Sequence, residues 1–168
     1  MNLAIISDTH LPRGARALPA PCVEHLRAAD LILHAGDVCT LEVLEELRAI
    51  GPPVEAVHGN VDDARVRAAL PAARLVEAGG ARIAMLHDAG PAAGRLARMQ
   101  ARFADSGAVA VVFGHSHIPL HDRDPATGFQ LFNPGSPTDR RRQPAHTMGL
   151  AEVDAGGAVA FRHVDVGR

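Results

Sequence analysis

The run Ala108-Val109-Ala110-Val111-Val112-Phe113-Gly114-His115-Ser116-His117 decides how this chain is read. Six apolar residues in succession suit a strand buried on both faces. Gly114 then removes the side chain that would crowd the next residues, and two imidazoles stand two residues apart. Such strand ends are where an open α/β sheet gathers its ligands. The same construction recurs upstream: Asp8-Thr9-His10 comes after the apolar run at 2–7, Gly36-Asp37 after 31–34, Gly59-Asn60 after 54–58, and His87 closes 81–86. Residues i and i+2 of a strand face one side, so Asp8 and His10 can reach a common ion. Taken singly, each piece has an ordinary explanation. Asp37 could cap a helix near 41, Gly-Asn is a common turn pair, and a lone His87 suits a core or cap position. Together they supply two carboxylates, one amide oxygen and four imidazoles, enough for two divalent cations around a shared carboxylate. A paired-metal site of that kind makes hydroxide from water and clamps a phosphoryl group.

Working outward, the βαβ pattern dominates the first two thirds. Helices are expected at 22–29, at 41–49 with Leu41, Leu44 and Leu47 on one face, at 64–70 behind Asp62-Asp63, and from Gly90-Pro91 to about 104. Gly79-Gly80 between apolar runs at 74–78 and 81–86 reads as a hairpin loop. Short runs at 118–122, 128–132, 147–153 and 158–164, broken by Gly, Pro and Asp, read as antiparallel strands and hairpins. The fold class is therefore α/β. Two mixed sheets stacked face to face with helices outside, a four-layer α/β/β/α sandwich, satisfy both halves.

The 168 residues amount to about one domain, taken as 1–168. Hydrophobic residues make up 47%, which argues against disorder. Aromatics are only 3%, with no Trp or Tyr, so the core must be aliphatic and a single-stranded nucleic acid would find few stacking platforms. A formal net charge of −2 gives no footprint for duplex binding. Cys22 and Cys39 are too few for a disulfide framework and wrongly spaced for zinc. A reducing, cytoplasmic setting is expected, because the run after Met1 is too short for a signal peptide and no stretch approaches the length of a membrane span.

The order D-x-H, G-D, G-N, H, G-H-x-H resembles that of the calcineurin-like metallophosphoesterase superfamily, and within it the small prokaryotic phosphodiesterases of the YfcE type. The resemblance covers nearly the whole chain. It implies that Asp8, His10, Asp37 and His117 hold one ion, and that Asp37, Asn60, His87 and His115 hold the other, with Asp37 bridging. It also implies that Asp37, Asn60 and His87 serve the catalytic step. The implied reaction is hydrolysis of a phosphodiester, or of a monoester, by a metal-bridging hydroxide. The implied cofactors are two divalent ions, with manganese favoured and iron, nickel or zinc open, since the donors lack thiolate. The implied partner is a small phosphate ester, with no membrane or nucleic acid, and a homo-oligomer is allowed. Asn133-Pro134-Gly135-Ser136 belongs to the same resemblance as a turn packing beneath the ligand loops.

The chain also departs from the family pattern. Many members carry His directly after the Asn as the acid for the leaving group, whereas Val61-Asp62 stands here. The YfcE-like branch shares that lack, leaving His58, Asp62 or water for the role. Leu11 and Asp88 replace glycines common in the family. Arg13 and Arg16 come after the first motif, and Arg140-Arg141-Arg142 reads as a solvated charge run or a substrate contact. His34 and His58 precede ligand loops and suit the orientation of ligands. The rival to an enzyme is a non-catalytic protein-binding scaffold, as the retromer subunit of this fold implies, and recombination nucleases share the motifs but carry extra domains and basic surface.

Overall fold

The computed structural model describes residues 1–13, 15 and 17–167. Gly14, which helped to mark the first loop, and Arg16 lie outside the described residues. Strands and helices succeed one another as β1 (Asn2–Ile6), α1 (Ala20–Ala28), β2 (Leu31–His34), α2 (Leu41–Arg48), β3 (Val54–Ala56), α3 (Ala64–Ala69), β4 (Ala73–Ala78), β5 (Ala81–Leu86), α4 (Arg95–Arg102), β6 (Ala110–Val112), β7 (Leu120–Arg123), β8 (Gln130–Asn133), β9 (His146–Val153) and β10 (Val159–Gly167). They form two mixed five-stranded sheets, ordered β10-β9-β1-β2-β3 and β4-β5-β6-β8-β7.

Alternation along the strands builds four layers. In β1, Leu3 and Ile5 face the second sheet, while Ala4 and Ile6 face Cys22 and Leu26 of α1. In β5, Ile83 and Met85 enter the space between the sheets, and Ala84 and Leu86 pack with Met99 of α4. A fourth cluster joins Val43 and Leu44 of α2 to Val66 and Leu70 around α3. Burial on both faces is why these strands read as continuous apolar runs. Of the three leucines expected on one face of α2, Leu44 and Leu47 are buried and Leu41 packs at the margin.

Two expectations are corrected. The basic helix does not start at Pro91. Gly94 adopts φ +66° and the helix begins at Arg95, because Arg95 and Arg98 turn back onto the carbonyls of Gly90, Pro91 and Ala93 and hold 90–94 as a separate turn. The C-terminal strands are not all antiparallel either. Strand β8 runs antiparallel to β7 but parallel to β6, which places the end of β8 beside the ends of β5 and β6.

Candidate metal centre

All seven candidate ligands meet at one end of the sandwich, beyond the C-terminal ends of β1, β2, β3, β5 and β6. Strand alternation is not what brings them together, since β1 ends at Ile6 and β6 at Val112. Five of the seven take left-handed backbone conformations: Asp8 (φ 54°), His10 (48°), Asp37 (60°), His115 (70°) and His117 (58°). Left-handed non-glycine residues are uncommon, and strain of this kind collects at functional sites. Alternating left-handed residues curl each D-x-H or H-x-H segment so that both of its side chains turn inward. Backbone bonds anchor the curls, from the Asp8 N–H to the Gly36 carbonyl (3.0 Å), from the His10 N–H to the Asp37 carbonyl (3.1 Å) and from the Gly114 N–H to the His87 carbonyl (3.0 Å).

The glycines serve this close approach. A Cβ on Gly36 would lie 2.6 Å from His87 Nδ1, and one on Gly59 would fall on the Asp37 carboxylate. A Cβ on Gly114 would sit 2.7 Å from both Asp8 Oδ2 and Ser7 Oγ, so this glycine clears the first carboxylate rather than its neighbouring imidazoles.

The centre is held from behind. Ser7 Oγ donates to Asp8 Oδ2 at 2.5 Å, and the His115 N–H donates to the same carboxylate at 3.0 Å. The Val61 N–H donates to Asp37 Oδ1 at 3.0 Å. Ser136 Oγ donates to the Asp8 carbonyl at 2.7 Å, and Asn133 Nδ2 to the Gly114 carbonyl at 2.8 Å, which is the supporting position expected of the 133–136 turn. His34 is fully buried, accepts from the Gly36 N–H at Nδ1 (3.2 Å) and meets Thr9 Oγ1 at Nε2 (3.1 Å). Burial pushes its imidazole down to about 4, so it stays neutral as an orienting partner.

Asp62 is buried, with Oδ1 accepting from the Cys39 N–H and Oδ2 from the Gly59 N–H, both at 2.6 Å. Buried and holding an N–H from each of two loops, Asp62 is a tie between those ligand loops rather than an acid open to substrate. Sequence reasoning also missed Ser7 and the backbone carbonyls of Ala35 and Asp139. Only the spacing of Asp62 behind Asn60 offered a signal, and it pointed to a helix cap. The cap proves to be Asp63, which accepts from the Val66 N–H at 2.9 Å.

The donor set tests whether a cation fits. His87 Nδ1 donates to the Ala35 carbonyl (2.8 Å) and His117 Nδ1 to the Asp139 carbonyl (2.5 Å). When neutral, each ring turns a bare Nε2 lone pair inward. His87 Nε2 faces Asn60 Oδ1 at 3.1 Å and Asp37 Oδ2 at 3.2 Å, and His117 Nε2 faces Asp8 Oδ1 at 3.4 Å and His10 Nε2 at 3.1 Å. His115 Nδ1 lies 2.9 Å from Asn60 Oδ1, and His10 Nε2 lies 3.6 Å from Asp37 Oδ2. Acceptors face acceptors, an arrangement that demands protons or cations between them. Two groups have ligand atoms all within 4.8 Å of one another, Asp8-His10-His117 and Asp8-Asp37-His87. The two groups share Asp8, where the sequence resemblance implied Asp37, and oxygen and imidazole donors of this kind suit a divalent cation.

Electrostatics agree with that demand. Burial raises the Asp8 carboxyl to about 7 despite the nearby His87 and Ser7. Burial acts upward on Asp37 too, but the hydrogen bond and charge of His87 with the Val61 N–H outweigh it and hold that group at about 2. His10 and His117 are lowered, chiefly by burial, and the charge of Arg141 contributes. Arg141 is exposed, but it stands near enough to favour neutral imidazoles at the rim. Arg13 is exposed beside the first ligand loop.

The chain belongs to the calcineurin-like phosphoesterase superfamily, whose domain matches residues 1–156. A relative from Methanothermobacter thermautotrophicus, named as a probable metallophosphoesterase, is 32% identical over 176 residues and covers 100% of both chains. Among solved structures, Vps29 from Entamoeba histolytica complexed with Zn²⁺ superposes with a TM-score of 0.75 at 22% identity, over 99% of each chain. A structure described as a novel archaeal phosphodiesterase gives 0.74 at 18% identity, over 98% of this chain and 99% of that one. At such identities the two structures speak for the fold, the two-sheet sandwich expected from the sequence. Among the described residues, no helix is long and apolar enough to cross a membrane.

Proposed function

We propose that this protein is a divalent-metal-dependent phosphoesterase that hydrolyses a phosphodiester, or else a monoester, of a small organic molecule. The reading is carried by the convergence of seven side chains that turn acceptor atoms toward one another. Asp8, His10, Asp37 and His117 would hold one ion, and Asp37, Asn60, His87 and His115 the other. Manganese is favoured, with iron, nickel and zinc as the other candidates. Such a pair, when bound, lowers the pKa of water toward about 7 and neutralises charge on phosphoryl oxygens.

The chain's own residues fix the geometry. Asp37 presents Oδ2 to both His87 and His10 while the Val61 N–H pins its other oxygen. The Ala35 and Asp139 carbonyls lock the His87 and His117 rings with Nε2 inward. Asn60 and His115 are exposed and mark the side from which substrate arrives. With Asp62 fully engaged, the leaving oxygen is left to water or to the half-buried His58, which favours esters of acidic alcohols.

The test is hydrolysis of bis-p-nitrophenyl phosphate by purified protein with manganese, alongside elemental analysis. Turnover should require metal, and Asp37→Ala should lose both activity and bound metal. Two ions bound with no turnover above a metal-free control would overturn the catalytic reading. It would leave the protein-binding scaffold, whose complex with a partner would then survive a chelator.

A further inference from the structure

We infer that the cleft beside the metal centre binds a second, non-scissile anionic group of the substrate, a phosphate or a carboxylate, through Arg67 and Arg102. The inference rests on the phosphoesterase reading above and adds a substrate class to it. The cleft has a volume of about 410 Å³, room for a compact organic anion. Asn60, His87 and His115 line it, so it opens directly off the proposed reaction site. Its other walls bring Arg67 from α3 and Arg102 from the end of α4, and therefore from different outer layers of the sandwich.

Neither guanidinium has a charged partner among the described residues. Arg67 Nη2 donates to the Asn60 backbone carbonyl at 2.5 Å, which sets the side chain against the ligand loop and leaves the rest of its fork free. Arg102 lies over the Phe103 ring, 5.4 Å from its centroid. Neither makes an ion pair among the described residues, whereas Arg48, Arg65, Arg74 and Arg82 each meet a glutamate. The carboxylate at the cleft, Asp88, accepts from the Gly90 N–H at 2.7 Å. A planar guanidinium matches carboxylate or phosphate with two parallel hydrogen bonds. Among the described residues no Phe, Tyr or Trp lines the cleft, so a nucleobase would find only imidazole and guanidinium faces to stack on. The geometry favours a small, doubly anionic ester.

Three esters that release the same p-nitrophenol test the idea: ethyl, 2-carboxyethyl and 2-phosphonooxyethyl p-nitrophenyl phosphate, with the manganese-loaded protein. The wild type should favour one of the anionic arms over ethyl by at least tenfold in kcat/KM, and the better arm identifies the group. Arg67→Ala and Arg102→Ala should each shrink that ratio, the double variant should bring it near one, and Arg102→Lys should restore part of it. A ratio near one in the wild type, or one that survives the double substitution, overturns the proposal. Equilibrium binding separates this outcome from failure of the phosphoesterase reading. 2-Carboxyethylphosphonate or ethane-1,2-diphosphonate, each with two anionic groups and no ester bond, should bind at least tenfold more tightly than ethylphosphonate, and the double variant should lose the difference. That result supports the cleft even where no ester is hydrolysed, and a wild type that binds all three probes equally overturns it.

Discussion

Asp8 and Asp37 carry the same chemical group in the same site, and their surroundings drive them to opposite protonation behaviour. Asp8 is sealed in and rises to about 7, while Asp37, reached by His87 and the Val61 N–H, sits at about 2. A cation can bind only the deprotonated carboxylate and the neutral imidazoles. Below pH 7 it must displace a proton from Asp8, and His87, raised by the Asp37 contact against its burial, adds a second competitor. Manganese affinity should therefore level off above pH 7 and fall by about tenfold or more per pH unit below it. Titration calorimetry at pH 6, 7 and 8 measures this, and an affinity indifferent to pH would count against Asp8 as a ligand. That these seven side chains converge was legible in the sequence because each comes after an apolar run. Their left-handed backbones were not, since no pattern of residue types distinguishes His10 or His117 from an extended residue.

At the scale of elements, the buried Asp62 side chain helps to join the loops after β2 and β3. Replacing Asp62 with Ala strands the Cys39 and Gly59 N–H groups without their acceptor, at a cost of roughly 2–4 kcal/mol. Because those loops carry Asp37 and Asn60, manganese affinity should fall by roughly 10–100-fold in the same variant. Asp62→Asn keeps one acceptor oxygen and should recover part of both losses. Urea denaturation and metal titration check the pair, and wild-type stability in Asp62→Ala would refute the tie. The strands, the Gly79-Gly80 hairpin and three of the four helices were legible, because apolar periodicity and turn residues act locally. The parallel pairing of β8 with β6 was not, since a strand's own sequence does not name its neighbour. Gly94 hid the true start of α4 because the preceding Gly90-Pro91 carries the stronger local signal.

Across the whole molecule, the site draws Asp8, His10, Asp37 and Asn60 from one sheet and His87, His115 and His117 from the other. Bound ions would couple the two sheets in addition to the apolar contacts between them. Manganese at about 100 times its Kd should stabilise the fold by about 2.7 kcal/mol. In a chain of this size that corresponds to a rise in Tm of roughly 5–10 °C. Scanning calorimetry of stripped and reloaded protein reads the shift directly, and identical melting curves would argue that the metal does not bind the native state. The span of the donors along the chain has a further consequence. A polypeptide growing on the ribosome offers no complete cradle until position 117 of 168 has emerged. Metal capture at this site would thus be a late event in biogenesis, and partial translation products would compete poorly for the cell's scarce free ions.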